Sequence, residues 1–169
     1  SAKHCVHARE TAIELCSAQG GAADQSGLGD NWAHGRFRAP YVRDPLGTAG
    51  YAVDTMETAI DWSTVSESVD KIENAIRTGL ADEGEQVHAY THLSHVYGQG
   101  SSIYTTYVYR FGDSYKQALQ RWHKLKAAGA EQIIACGGTI SHQHGVGADH
   151  RNYLQAEKGE LGIAVINSL

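Results

Sequence analysis

Apolar positions recur along this chain at two spacings, and together they predict its secondary structure. Five aliphatic residues between Val65 and Leu80 return every three or four positions, which predicts a helix that ends by Gly84. Residues 4–18 form a predicted first helix, stopped at Gly20 and Gly21, and residues 114–136 form a long later one. Residues 51–60, 86–97 and 101–111 and the pair Thr139-Ile140 have the β-branched and aromatic composition of strands.

From residue 51 onward the predicted order is therefore β-α-β-β-α-β, the ferredoxin-like arrangement. The fold class is α+β, with an antiparallel sheet that carries both helices on one face. An N-terminal helix and a C-terminal helical segment are added to this unit. At 169 residues the chain is predicted to form a single domain, residues 1–169.

Alternation within the strands predicts that the other sheet face is polar. In the second strand Val87, Ala89 and Leu93 share one side. The opposite side carries His88, Tyr90, His92 and Ser94. If Gly98-Gln99-Gly100 is the whole hairpin loop, Ser94 lies opposite Tyr104, and Tyr104 joins the polar face. Such a face must cover solvent, a partner domain or a bound ligand, with solvent as the default.

Composition and net charge indicate which classes of protein this chain can belong to. A hydrophobic share of 41% with 20% charged residues is typical of a globular domain, and a net charge of −5 argues against a nucleic-acid binder. There is no apolar run of about 20 residues and no signal-peptide pattern. Three widely spaced cysteines favour a reducing compartment, so we expect a cytoplasmic protein. The chain begins with Ser1-Ala2 and ends within an apolar segment, from which we expect a piece of a longer polypeptide.

The segment Gly137–Gly147, GGTISHQHGVG, places two histidines two residues apart before a glycine-rich turn. On an extended chain His142 and His144 point to the same side, roughly 7 Å apart. They could handle a proton, contact an anion, or be surface residues. With His150 they could also supply three zinc ligands, but no cysteine pair or carboxylate has a recognised metal spacing near them. We therefore predict no metal site, and a metal-dependent enzyme remains an alternative.

Two further residues have more than one interpretation. Arg43 follows Ala39-Pro40-Tyr41-Val42 and precedes Asp44, so it could form a surface ion pair or anchor a carboxylate or phosphate. Tyr104, by its sequence alone, is most simply a packed strand tyrosine. The sequence has neither a GxGxxG nor a Walker-type segment, so it contains no dinucleotide-binding motif of its own.

Three segments in this order and spacing resemble a known family. They are Ala39–Asp44 followed by Glu57-Thr58-Ala59 and Trp62, then Ser94–Tyr97 running into Ser102–Tyr104, then Gly138–Gly147 followed by Tyr153-Leu154 and Glu157-Lys158-Gly159. The combination resembles the C-terminal, substrate-side domain of FAD-linked oxidases of the vanillyl-alcohol oxidase superfamily. The likeness is greatest to the alkyldihydroxyacetonephosphate synthase group, over roughly residues 28–169.

The resemblance implies a function and a set of roles. FAD would be held mainly by a separate N-terminal domain absent from this sequence, and the chain alone would be inactive; no residue here is assigned to the cofactor. Arg43 would bind the anionic part of a small-molecule substrate, Tyr104 would donate and accept a proton, and His142 and His144 would lie near the flavin. Gln143 stands where that group has the middle histidine of three, and glutamine cannot shuttle a proton.

Three alternatives stay open beside alkyl exchange on acyl-dihydroxyacetonephosphate. Relatives oxidise 2-hydroxy acids such as lactate or glycolate, with an arginine for the carboxylate and a histidine as base. A metal-dependent enzyme and a non-catalytic ferredoxin-like binding module belong to other classes. The sequence leaves open a homodimer and a peripheral association with membranes.

Overall fold

The computed structural model describes residues 1–23 and 27–169, which form two compact units, Ser1–Val42 and Arg43–Leu169. The first unit is helical, with α1 (Ala2–Ala18), α2 (Leu28–Gly35) and a 3₁₀ helix (Arg36–Val42). The predicted first helix is confirmed. It ends just before Gly20, whose φ of 84° lies in the left-handed region that favours glycine.

The second unit contains a three-stranded antiparallel sheet with helices packed on it. Its elements are α3 (Arg43–Thr48), β1 (Tyr51–Asp61), α4 (Val65–Thr78), a 3₁₀ turn (Ala81–Glu83), β2 (His88–Val96), β3 (Gly100–Arg110), α5 (Tyr115–Ala135) and α6 (Gly147–Asn167). The α+β class, the antiparallel sheet, and the N-terminal and C-terminal helices are as the sequence predicts. Ser114 caps α5 by accepting a hydrogen bond from the backbone N–H of Gln117 at 3.2 Å.

The strand order is β1-β3-β2, and the register of the hairpin differs from the predicted one. Tyr104 lies opposite His92, not Ser94. The N–H of Tyr97 donates to the carbonyl of Gly100 at 2.8 Å, so the loop is one residue shorter than predicted, and a bulge between Leu93 and Val96 moves the pairing by one more. The two shifts together move the pairing by two residues. Because side chains alternate between faces with a period of two, Tyr104 still lies on the polar face.

The predicted strand at Thr139-Ile140 is the one element that does not form as a strand. Residues 138–142 run beside the free edge of β1, where a fourth strand would lie. Two backbone hydrogen bonds hold them there, from Thr139 N to Ala59 O at 3.2 Å and from His142 N to Glu57 O at 3.0 Å. These two hydrogen bonds do not have the regular spacing of a β-ladder. The segment therefore lies along the edge of β1 without forming a strand.

The hydrophobic core lies between the sheet and helices α4 and α5. Its largest fully buried side chains include Tyr107, Met56, Ile72, Ile103 and Ile133. Alternation along β1 and β3 directs these strand residues to the helices and leaves the intervening residues on the opposite, polar face. In the described part of the chain, no helix combines the length and apolar character needed to cross a bilayer.

Candidate functional site

The polar sheet face is the platform of the candidate site. Residues that share it across the three strands are Glu57 on β1, Tyr104 and Thr106 on β3, and His88, Tyr90 and His92 on β2. The three β2 side chains are exposed, and Tyr104 and Thr106 are half-buried. This face therefore offers hydrogen-bonding and aromatic groups to whatever covers it.

Glu57 is the buried acid at the edge of this face. Its side chain is 2% exposed and lies opposite Tyr104 in the β1–β3 pairing. The hydroxyl of Ser94 donates a hydrogen bond to Glu57 Oε1 at 2.6 Å, and Ser94 in turn contacts Ser102 Oγ at 2.6 Å. A carboxylate this far from solvent requires such partners to remain charged.

Two histidines meet this one carboxylate, each at a different oxygen. His142 Nδ1 lies 3.3 Å from Glu57 Oε1, and His144 Nε2 lies 3.2 Å from Oε2. The Nδ1 atom of His142 is fully buried and makes no well-aligned hydrogen bond in the described residues, and the carboxylate of Glu57 is the acceptor that faces it. The histidine pair singled out in the sequence thus converges on a residue that the sequence did not single out.

The backbone between the two histidines is not extended, contrary to the prediction. The N–H of His144 donates to the carbonyl of His142 at 2.8 Å, closing a three-residue turn whose centre, Gln143, has a φ of 62°. A left-handed residue other than glycine is strained, and such strain persists where the surroundings hold it in place. The turn, not strand alternation, brings both rings to Glu57.

Two tyrosines flank the pair. Tyr97 Oη lies 3.1 Å from His142 Nε2, and the backbone of Tyr97 is held by a hydrogen bond from the indole of Trp62 at 2.9 Å. The ring of Tyr104 meets that of His144 edge-on at 5.5 Å between centroids and that of His92 at 5.0 Å. The predicted residues Tyr104, His142 and His144 therefore lie in one cluster.

The charge state of Glu57 follows from its neighbours. Burial alone raises the pKa of this carboxyl. The hydrogen bond from Ser94, together with the adjacent imidazoles of His142 and His144, outweighs burial and leaves the pKa of Glu57 below its usual range. The cluster thus holds a fixed negative charge beside two imidazoles at neutral pH.

Arg43 is not part of this cluster. It is the first residue of α3, its side chain is exposed, and no hydrogen bond or ion pair joins it to Glu57 or the histidines among the residues that the structure describes. Its guanidinium is available to an anion, and its predicted role stays a prediction.

The residues that could hold a metal ion differ from His142, His144 and His150, the three that the sequence suggests. Within residues 1–23 and 27–169, the donor atoms that lie within 4.8 Å of one another belong to Glu57, His95 and His142, and His150 is not among them. His150 is buried at the start of α6, where burial first and the nearby charge of Lys126 second lower its pKa. Because Glu57 Oε1 already accepts a short hydrogen bond from Ser94, we interpret the group as a hydrogen-bonded cluster.

The histidine segment is anchored from its other side by α6. Glu157 accepts hydrogen bonds from Thr139 Oγ1 at 2.9 Å and from the N–H of Ile140 at 2.8 Å. Burial raises the pKa of Glu157, but the hydrogen bonds from Lys158, Ile140 and Thr139 bring it below the usual range. On this side of the segment, the carboxylate of Glu157 accepts the hydrogen bonds that a neighbouring strand would otherwise accept.

Sequence reasoning did not identify Glu57, although a signal for it existed. Met56-Glu57-Thr58 lies in a predicted strand, and successive side chains of a strand alternate, so Glu57 belongs on the face opposite Met56. The sequence predicts a polar face from the alternation in β2 and from Tyr104 on β3, and that prediction does not extend to β1. Tyr97 lies in one of the segments that carry the family resemblance, but the resemblance implies no role for it.

Comparisons with known proteins agree with this architecture. A family model described as FAD linked oxidases, C-terminal domain, matches residues 2–169. An alkyldihydroxyacetonephosphate synthase of Caenorhabditis elegans is 27% identical over 135 residues, which is 79% of this chain and 22% of that protein. The uncharacterized FAD-linked oxidoreductase YgcU of Escherichia coli (strain K12) is 27% identical over 132 residues, 76% of this chain and 27% of that protein.

Solved structures support the fold. Two structures of alkyldihydroxyacetonephosphate synthase superpose with TM-scores of 0.59 and 0.61 at 21% identity. They cover 76% and 78% of this chain and 22% and 23% of their own. The chain spans about a quarter of the length of the curated relatives it matches. With a family model matched over nearly its whole length, the chain belongs to the C-terminal domain family of FAD-linked oxidases.

Proposed function

We propose that this chain, residues 1–169, is the substrate-side domain of a larger FAD-dependent enzyme that exchanges alkyl for acyl groups on a dihydroxyacetone phosphate substrate. The observation that carries the proposal is the convergence of His142 and His144 on Glu57, with Tyr104 edge-on against His144 at 5.5 Å. Several proton acceptors around one fixed negative charge suit a reaction that removes a proton and later returns it. The matched alkyldihydroxyacetonephosphate synthase supports the choice of substrate class.

The residues of this chain suit contact with the flavin ring of FAD more than contact with its phosphates and adenosine. His92, Tyr104 and Thr106 form a polar and aromatic patch on the polar sheet face, and we expect them against the ring. The sequence contains no phosphate-binding loop, so we expect the phosphates and adenosine to be held by a separate N-terminal domain. FAD, when bound, supplies a two-electron acceptor that the side chains of this chain lack.

In this proposal Tyr104 takes the proton from the carbon beside the substrate ketone and returns it after exchange. A phenol has an ordinary pKa of about 10, so it needs positive charge nearby to act as a base. His92 and His144 flank its ring and can provide that charge when protonated. The bond between this carbon and the acyl oxygen breaks, and the fatty acid leaves as a carboxylate with that electron pair. The carbon then bonds to the oxygen of the entering alcohol, and His142 takes up the hydroxyl proton that the alcohol loses.

Arg43 binds the anionic part of the substrate in this proposal. Its guanidinium is exposed and has no ion-pair partner among the described residues, and a planar guanidinium suits a phosphate or carboxylate. The same residue serves both candidate substrates, so it does not distinguish them. We propose a cytoplasmic enzyme, and a homodimer and peripheral membrane contact stay predictions.

Gln143 favours a second candidate, oxidation of a 2-hydroxy acid. Its side chain is exposed and its Nε2 lies 3.5 Å from His95 Nε2, so it can hydrogen-bond but cannot carry a proton. Oxidation needs one base for the substrate hydroxyl, a requirement that His142 or His144 alone can meet. It does not need the third imidazole.

The test uses the full-length protein reconstituted with FAD. Alkyl exchange is measured with palmitoyl-dihydroxyacetone phosphate and labelled hexadecanol. Flavin bleaching is measured anaerobically with D-lactate, glycolate and D-2-hydroxyglutarate. Exchange without bleaching supports the first candidate, bleaching without exchange supports the second, and the absence of both contradicts the proposed function. An increase of exchange in Gln143→His would further favour the first candidate.

A further inference from the structure

We propose that Glu57 is a positioning residue that sets the tautomer and orientation of both His142 and His144, so that the basic nitrogen is Nε2 in one ring and Nδ1 in the other. The inference rests on the proposed function for its catalytic consequence. Its structural part stands on the geometry of the cluster alone.

The two histidines approach Glu57 with different ring atoms. His142 turns its Nδ1 to Oε1 and His144 turns its Nε2 to Oε2. An ionised carboxylate only accepts, so the hydrogen of each neutral ring lies on the nitrogen that faces it. The basic nitrogens are then Nε2 of His142 and Nδ1 of His144.

The second contact of His142 agrees with this assignment. Its Nε2 lies 3.1 Å from the hydroxyl of Tyr97, which can donate to an unprotonated nitrogen. Tyr97, His142 and Glu57 thus form a continuous chain of tyrosine, imidazole and buried carboxylate. In such chains the carboxylate orients the imidazole and stabilises its protonated form without taking the proton itself.

The groups around Glu57 hold its carboxylate in the orientation that contacts both histidines. The titratable groups that face it are His95 on β2, Tyr104 on β3, and His142 and His144 on the edge segment. Ser94 donates to Oε1, so the carboxylate is held in orientation even without the histidines. The backbone carbonyl of Glu57 also accepts from His142 N, a bond that a side-chain substitution leaves in place.

The decisive variant is Glu57→Gln in the full-length flavoprotein. An amide offers one accepting and one donating edge, so one of the two rings must change its tautomer. Histidine labelled with nitrogen-15 reports tautomers by NMR, with signals assigned from His142→Asn and His144→Asn variants. Thr58→Val is the matched control, because Thr58 is the next residue of β1, buried on the opposite face with an unpartnered hydroxyl.

We expect the unsubstituted protein to show hydrogen on Nδ1 of His142 and on Nε2 of His144. In Glu57→Gln one ring should switch, kcat should fall about 10- to 100-fold at unchanged KM, and the acidic limb of the pH profile should move to lower pH. Glu57→Asp, which keeps the charge, should restore part of kcat. Thr58→Val should change none of these readouts.

Two results would overturn the inference. One is the same pair of tautomers in the unsubstituted protein and in Glu57→Gln. The other is an unchanged kcat in Glu57→Gln when the tautomers have switched. If no substrate of either class turns over, the proposed function fails, and the NMR result still decides whether Glu57 positions the histidines.

Discussion

Glu57 and His142 are joined twice, once through their backbones and once through their side chains. The N–H of His142 donates to the carbonyl of Glu57 at 3.0 Å, and the imidazole Nδ1 lies 3.3 Å from the carboxylate Oε1. The double contact fixes the histidine segment to the free edge of β1 without forming a strand. Much of the behaviour expected of this domain follows from that attachment.

Acid should weaken the fold through Glu57. Because the pKa of Glu57 is lower in the folded protein, its ionised form adds stability above the unfolded value of 4.5, and this contribution is lost as pH falls through the lower folded value. We expect Glu57→Gln to be less stable than the unsubstituted protein by about 1–3 kcal/mol at pH 7, with the gap narrowing below pH 4.5. Urea denaturation between pH 7 and pH 3 measures it. Glu160→Gln, an exposed change on α6, is the control; a gap that does not depend on pH would contradict the account.

Glu157 should support the site from a distance. Its carboxylate accepts hydrogen bonds from Thr139 and Ile140, so Glu157→Gln weakens two charge-assisted bonds. We expect a loss of about 1.5–3 kcal/mol in the free energy of unfolding and a reduced kcat, because the segment that carries the histidines loosens. Denaturation and turnover are measured together. Full stability and full turnover in this variant would show that the anchor is not needed.

The hairpin depends on the absence of a side chain at Gly100. A Cβ at this position would collide with the backbone carbonyl of Ile60 on β1, which cannot move away without breaking the sheet. We expect Gly100→Ala to cost about 1–3 kcal/mol. Gly98→Ala, two residues earlier in the same turn, has open space around it and should be nearly neutral. Thermal denaturation compares the two, and equal melting temperatures would contradict the prediction.

The hydrophobic pattern was sufficient to predict most of the fold. Helical spacing between Val65 and Leu80 and the alternation in β2 each correspond to a real element, because burial of one face determines both patterns. The position of Tyr104 on the polar face was predicted correctly, but its partner was not. The bulge between Leu93 and Val96 depends on tertiary contacts, and local sequence does not record them.

The candidate site was only partly predictable. His142 and His144 were identified from their spacing, yet the turn at Gln143 that directs them is strained, and local preference argues against it. Thr139-Ile140 has the composition of a strand, but it follows the edge of β1 with the hydrogen bonds of Glu157 in place of a ladder. Glu57 lies far from the histidines in sequence, so no motif spacing links them.

The central claim, that this cluster moves the substrate proton, is tested most directly at Tyr104. In the full-length flavoprotein, Tyr104→Phe should lower kcat about 100- to 10,000-fold for whichever substrate class is turned over, while FAD content and stability stay unchanged. Tyr109→Phe removes a buried hydroxyl from the same strand on the opposite face and should leave kcat near its original value. Equal kcat values for the two variants and the unsubstituted enzyme would contradict the account.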